Sequence, residues 1–196
     1  MKPFSQECIN NRDPILEVIK PLFGNCSRVL EIGSGTGQHA VYFADKMPWL
    51  TWYTSDLFQH HGGIKQWQAE AGLSNIIGPL ELDVLQVEWP KLEVDAVFSA
   101  NTVHIMSWPA VERMFEGIGR QLAMNGLFVL YGPFNYKKQY TSERNARFDG
   151  LLKERDPQSG IRDFEALNDL AEKAGMQLQR DTEMPANNRI LHWRKF

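Results

Sequence analysis

Hydrophobic positions in this chain switch between two spacings. Short apolar runs rich in β-branched and aromatic residues lie at 28–32, 51–55, 78–82, 96–100 and 127–131. Their length and composition predict strands, and runs apolar at consecutive positions suit a parallel sheet covered on both faces. Helical spacing fills the intervals. Asp13 and Pro14 read as an N-cap and first-turn pair, followed by Ile15, Val18, Ile19 and Leu22 on one face. Ala40, Phe43, Ala44 and Met47 form a second stripe that Pro48 ends. Ser107 can cap a helix carrying Val111, Phe115, Ile118 and Leu122, weakened by Gly117 and Gly119. Phe164, Leu167, Leu170 and Ala174 precede Gly175, a left-handed cap.

The order is one helix, repeated strand–helix units up to residue 131, a mixed helical stretch at 141–155, another helix and two final strands. It predicts a doubly wound α/β fold with a mostly parallel, seven-stranded, Rossmann-like sheet and helices on both faces. Residues 176–181 and 189–194 are close enough to pair as an antiparallel C-terminal hairpin at the sheet edge. No internal repeat is present, and residues 1–196 read as one domain. Residues 1–27 would form an N-terminal helical cap. Residues 137–160 read as a lid or insertion that closes over substrate.

Composition narrows the class. With 196 residues, 43% of them hydrophobic, the chain can bury a core without disulfide or metal. Twenty-one basic against 24 acidic side chains, a net charge of -3, disfavour nucleic acid as a partner. The basic excess at 137–155 is interrupted by Glu143, Asp149 and Glu154 and does not alter this. Cys8 and Cys26 read as reduced thiols. No secretory signal or run of roughly eighteen apolar residues is found. A cytoplasmic protein that engages no membrane is expected.

The most informative stretch runs Glu31-Ile-Gly33-Ser34-Gly35-Thr36-Gly37-Gln38-His39, between the first strand and the next helix. Glycines there permit positive φ and close approach of a ligand to the backbone, and the helix start offers free N–H groups. Gly37 is not followed by Lys, so a triphosphate loop is excluded. A dinucleotide loop would put its third glycine at Gln38, which argues against a nicotinamide dehydrogenase. A carboxylate at Glu31 would repel a pyrophosphate but suits a ligand bearing ammonium or sulfonium charge.

This motif resembles motif I of the class I methyltransferases that use S-adenosylmethionine, and the likeness extends over most of the chain. Asp56 stands nineteen residues past Gly37 at the end of the second strand, and Asp83 follows the third. The N-terminal Cys8-Ile-Asn-Asn11-Arg12-Asp-Pro14-Ile15, the run from Tyr131 to Phe134, the stretches 141–149 and 156–163, and Met184-Pro-Ala-Asn187-Asn188 resemble the uncharacterised methyltransferase-like 26 family.

The resemblance implies S-adenosylmethionine as cofactor, S-adenosylhomocysteine as product and a small-molecule methyl acceptor. It implies that Gly33, Ser34, Gly35, Thr36 and Gly37 lie against the methionine part with Glu31 near its ammonium, that Asp56 and Leu57 hold the ribose, and that Asp83 and Val84 meet the adenine. The alternative for both aspartates is a turn cap. His104 is the candidate base and Asn101 would orient the acceptor while bordering the cofactor; a satisfied structural histidine is the alternative. Trp108, Tyr131, Phe134 and Tyr140 are candidate pocket walls, or ordinary core. Arg12, Arg144, Arg147, Arg162 and Asn145 are its polar candidates, and one arginine facing inward would favour an anionic acceptor. His60 and His61 point apart as neighbours, so no metal is expected. The rival function is a non-catalytic S-adenosylmethionine-binding module or sensor, motivated by Asn101-Thr-Val-His104 standing where many methyltransferases have an Asn/Asp-Pro-Pro-Tyr/Phe acceptor motif.

Overall fold

A computed structural model describes residues 2–196. Its elements run α1 (Gln6–Leu22), β1 (Arg28–Ile32), α2 (Gln38–Lys46), β2 (Thr51–Asp56), α3 (His61–Ala71), β3 (Ile76–Glu81), β4 (Val94–Ala100), α4 (Trp108–Gln121), β5 (Leu122–Gly132), β6 (Phe134–Asn135), α5 (Glu143–Arg155), β7 (Arg162–Asp163), α6 (Phe164–Lys173), β8 (Met176–Met184) and β9 (Asn188–Lys195). Seven strands form one sheet in the order β3-β2-β1-β4-β5-β9-β8, and β6 pairs with β7 separately. Pairing is parallel from β3 to β5, while β9 runs antiparallel to both β5 and β8. The expected hairpin is present, with β9 inserted against β5 and β8 on the edge.

Side chains of the central strands alternate between two cores, as a sheet covered on both faces requires. Leu30, Ile32, Val97, Phe128, Leu130, Leu191 and Trp193 face one core with Val111, Phe115 and Ile118 of α4 and Leu167 of α6. Val29, Ala96, Phe98, Leu127, Val129 and Ile190 face the other with Ile15 and Ile19 of α1, Phe43 of α2 and Met47 just after it. The helices are therefore distributed as a doubly wound fold demands.

Local signals succeeded where capping chemistry was explicit. Ser107 accepts from the Ala110 amide at the start of α4, and Gly175 sits at φ 79 after α6. The Asp13–Pro14 signal did not mark a helix start: α1 begins at Gln6 and runs through Pro14. Two anchors hold the added turns. The Ser5 amide donates to Gln38 Oε1 at 2.6 Å, and Asn11 meets His39 at 2.7 Å. The carbonyl that Pro14 leaves unpaired belongs to the exposed Asn10, where water can serve it.

Candidate active site

The carboxyl ends of β1, β2, β3, β4 and β5 converge on one edge of the sheet, the usual ligand edge of such folds. The turn after β1 is clamped to β2, since the amides of Gly33 and Ser34 both donate to the Ser55 carbonyl, at 3.1 and 2.9 Å. Gly33, Gly35 and Gly37 have φ of 72, 57 and 88°, conformations that L side chains rarely adopt. A Cβ on Gly33 would stand 2.5 Å from Thr102 Cγ2, whereas one on Gly35 would project into open space. Gly35 is thus the bare floor of a cradle. Asp56 Oδ2 accepts from the Gly35 amide at 2.7 Å and Oδ1 from the Leu57 amide at 2.7 Å.

A cavity of about 470 Å³ opens above this turn. Gly33, Ser34, Gly35 and Thr36 line it from the glycine turn, His39 from the start of α2, Asn101 and His104 from the loop after β4, and Ser5, Glu7, Cys8 and Asn11 from α1 and its cap. Arg144, Asn145 and Phe148 of α5 and Asn188 of β9 complete the wall. Of the arginines, Arg144 faces this cavity, and its guanidinium forms no ion pair among the described residues. Asn101 holds φ 60 while its amide donates to the Tyr131 carbonyl at 2.9 Å. Asparagine tolerates that left-handed conformation better than most residues.

His104 is 5% exposed, and its Nδ1 is enclosed without a hydrogen-bond partner. Burial, helped by the nearby Arg162 charge, lowers its pKa to about 4, so the imidazole is neutral at pH 7. Its ring packs edge-on against Phe148 at 5.4 Å.

The other expected residues separate into distinct places. Glu31 is 2% exposed and lies beneath the turn, accepting from Ser34 Oγ at 2.8 Å and Trp52 Nε1 at 3.2 Å; burial raises its pKa to about 7. Leu57 and Asp83 line a second cleft with Phe58, Gln59 and Glu81. Asp83 also accepts from the Leu85 amide at 3.0 Å, and Val84 is buried beside it in the α4-side core. Tyr131 and Phe134 are built into the two cores, Trp108 packs partly buried against one of them, and none of the three lines the cavity. Tyr140 is half exposed and donates to Asp149 at 2.7 Å. Burial acts to raise the Asp149 carboxyl, but Lys153, Tyr140 and the Ile161 amide bring it below its ordinary value. Tyr140 thereby tethers α5.

Arg162 is braced on the carbonyls of Val103 at 3.0 Å and Gln158 at 2.8 Å and on that of Met106. It holds the loop that carries His104. Arg12 lies outside the cavity, in a separate cleft with Trp67, its guanidinium 4.5 Å over the Tyr42 ring. His61 spends Nε2 on the Asp56 carbonyl at 3.0 Å, and among the described residues no cluster of three or more metal-ligating side chains occurs.

The family model described as a protein of unknown function (DUF938) matches residues 2–195. The chain belongs to this family. Its fold is shared with solved methyltransferase structures. An O-methyltransferase family protein from Burkholderia thailandensis superposes with TM-score 0.80 at 12% identity, over 94% of this chain and 58% of that one. The S-adenosylmethionine-dependent methyltransferase SibL in its apo form gives 0.81 at 20% identity, over 96% and 55%. PigF with SAH gives 0.81 at 17% identity, over 94% and 54%. The DUF938 chain therefore spans a little over half the length of each of these proteins.

Sequence reasoning passed over His39, Cys8 and Glu7 as cavity residues. A signal for His39 was present, because it extends the Ala40–Phe43 stripe back by one turn, four positions before Phe43. Cys8 and Asn11, three apart, share a face only once α1 is known to start at Gln6.

Proposed function

We propose that this DUF938 protein is an S-adenosylmethionine-dependent methyltransferase acting on a small molecule. The observation that carries the reading is the bare Gly35 turn, whose missing Cβ leaves open space and whose amide is fixed by a carboxylate at the end of the next strand. The residues present fit the group. Gly33 to Thr36 would take the methionine part, Asp56 the ribose, and the cleft of Leu57 and Asp83 the adenine. Bound there, the sulfonium supplies an already activated methyl group, so the protein's work is mainly positioning and exclusion of water. His104, neutral and unpartnered, would accept the acceptor's proton while Asn101 orients the acceptor. Arg144 would favour an anionic acceptor. The solved methyltransferases of the same fold support the class, one of them described with SAH.

We further propose kinship with the methyltransferase-like 26 proteins, on motifs spread from Cys8 to Asn188. The cytoplasm is the proposed place of action, supported by two free thiols.

Calorimetry with S-adenosylmethionine, S-adenosylhomocysteine and NAD tests the function. Micromolar binding of the first two with no response to NAD is expected, and a chain that binds neither adenosyl ligand overturns the reading.

A further inference from the structure

Three side chains of the cavity wall form an array that methyl transfer to a free acceptor does not use. Asn11 Oδ1 lies 2.7 Å from His39 Nε2. An amide oxygen can only accept, so Nε2 carries the imidazole proton and the lone pair is left on Nδ1. That nitrogen stands 4.0 Å from Cys8 Sγ. The ring cannot swing freely, because it is stacked on Phe43 with centroids 5.2 Å apart and planes at 15°.

Cys8 also lies in the first turn of α1, three residues past the N-cap Ser5, where the helix end favours developing negative charge on sulfur. Burial keeps the thiol protonated and the imidazole neutral at rest, so the pair is S–H···N and the proton moves as sulfur bonds. All three residues open onto the cavity that also holds the unpartnered His104. A thiol, a base with its lone pair toward it and a third group fixing that base are the parts of an activated nucleophile.

We propose that Cys8 is a nucleophilic thiol, served by His39 as base and by Asn11 as positioning residue, which takes an alkyl group from a small sulfonium electrophile bound in the cavity. The Cys8 S–C bond forms as the bond from that carbon to the sulfonium sulfur breaks. The electron pair leaves with the departing thioether, and the thiol proton passes to His39 Nδ1. The product is an alkylated Cys8. The electrophile rests on the function proposed above; the nucleophile does not. Cys26 provides the internal contrast, a buried thiol beside Asp95 and Arg194.

The test uses the full chain in two arms read by peptide mass. With iodoacetamide as probe, Cys8 is expected to be alkylated about a hundredfold faster than Cys26, the low end of what a positioned base contributes. His39→Gln and Asn11→Ala should each slow Cys8 by a similar factor, in proteins whose melting shows them folded. Asn11→Asp should restore the rate and shift its pH profile, which a merely structural role would not do. Cys8 alkylation indifferent to His39→Gln in a folded protein overturns the nucleophile.

With S-adenosylmethionine, the Cys8 peptide should gain the mass of one methylene with matching release of S-adenosylhomocysteine, and Cys8→Ser should abolish the gain. Calorimetric binding without any gain overturns the sulfonium step and leaves the proposed function standing. Absence of binding overturns both of these, while the iodoacetamide arm still decides the thiol.

Discussion

The Asp56 carboxylate is bonded to the backbone amide of Gly35, 2.7 Å away and 21 residues earlier in the chain. One side chain thus fixes the shape of the glycine turn at the point where the turn is bare. A cap and a ligand contact are compatible roles for it, since each carboxylate oxygen can accept more than one bond. Asp56→Ala removes a charge-assisted bond of about 1.5–3 kcal/mol. Calorimetry should show S-adenosylmethionine affinity falling by about ten- to hundredfold; undiminished affinity would take Asp56 out of the site.

The two glycines of the turn should respond differently to alanine. At Gly35 the cost is the left-handed conformation alone, about 1–2 kcal/mol, because the new Cβ meets nothing within 4 Å. Ligand affinity should fall more than stability, since the methyl occupies the cradle. At Gly33 the same strain is joined by a 2.5 Å approach to Thr102 Cγ2, adding roughly 1–3 kcal/mol of overpacking. Denaturant melts of the two variants, with ligand titrations, read the contrast directly.

Glu31 should make stability depend on pH. Its pKa is raised on folding from 4.5 to about 7, so the folded state holds the proton more tightly than the unfolded chain. Stability is then fully present below pH 4.5 and is lost as pH rises through about 7, by about 3 kcal/mol in all. Glu31→Gln keeps an acceptor for Ser34 and Trp52 and should flatten this slope in melts from pH 4 to 8. An unchanged slope would show that Glu31 is ionised in the folded state.

His104 carries the opposite sign. Its pKa falls on folding from 6.5 to about 4, so the stability it contributes is present above pH 6.5 and is lost as pH falls through about 4. As the acceptor's base it should remain active well below pH 6.5. His104→Gln should lower turnover by about a hundredfold with cofactor affinity retained. A parallel loss of affinity would make it a binding residue instead.

Periodicity and punctuation alone determined most of the frame. The central parallel strands β1, β4 and β5 are buried on both faces, so their apolar runs are continuous and stand out, and Ser107 and Gly175 act through their own backbone neighbours. The glycine turn was legible for a related reason: three positive φ values demand glycine, whatever surrounds them. His104 was legible at the cavity from its position just beyond the fourth strand, and Asn145 from the family resemblance of the stretch 141–149.

Only the tertiary structure separated Trp108, Tyr131 and Phe134 from the site, because an aromatic side chain satisfies a core and a pocket wall equally well until its neighbours are known. It also turned Arg162 and Tyr140 into braces, as their partners Val103 and Asp149 are loop and helix groups that no spacing rule connects to them. The same holds for Cys8, Asn11 and His39. They come together because Ser5 is bonded to Gln38 across 33 residues, which docks the start of α1 onto the glycine turn and carries the helix through Pro14. Long-range docking of this kind overrides a local stop signal, since the contacts that favour the extra turns lie outside the segment in which the signal is read.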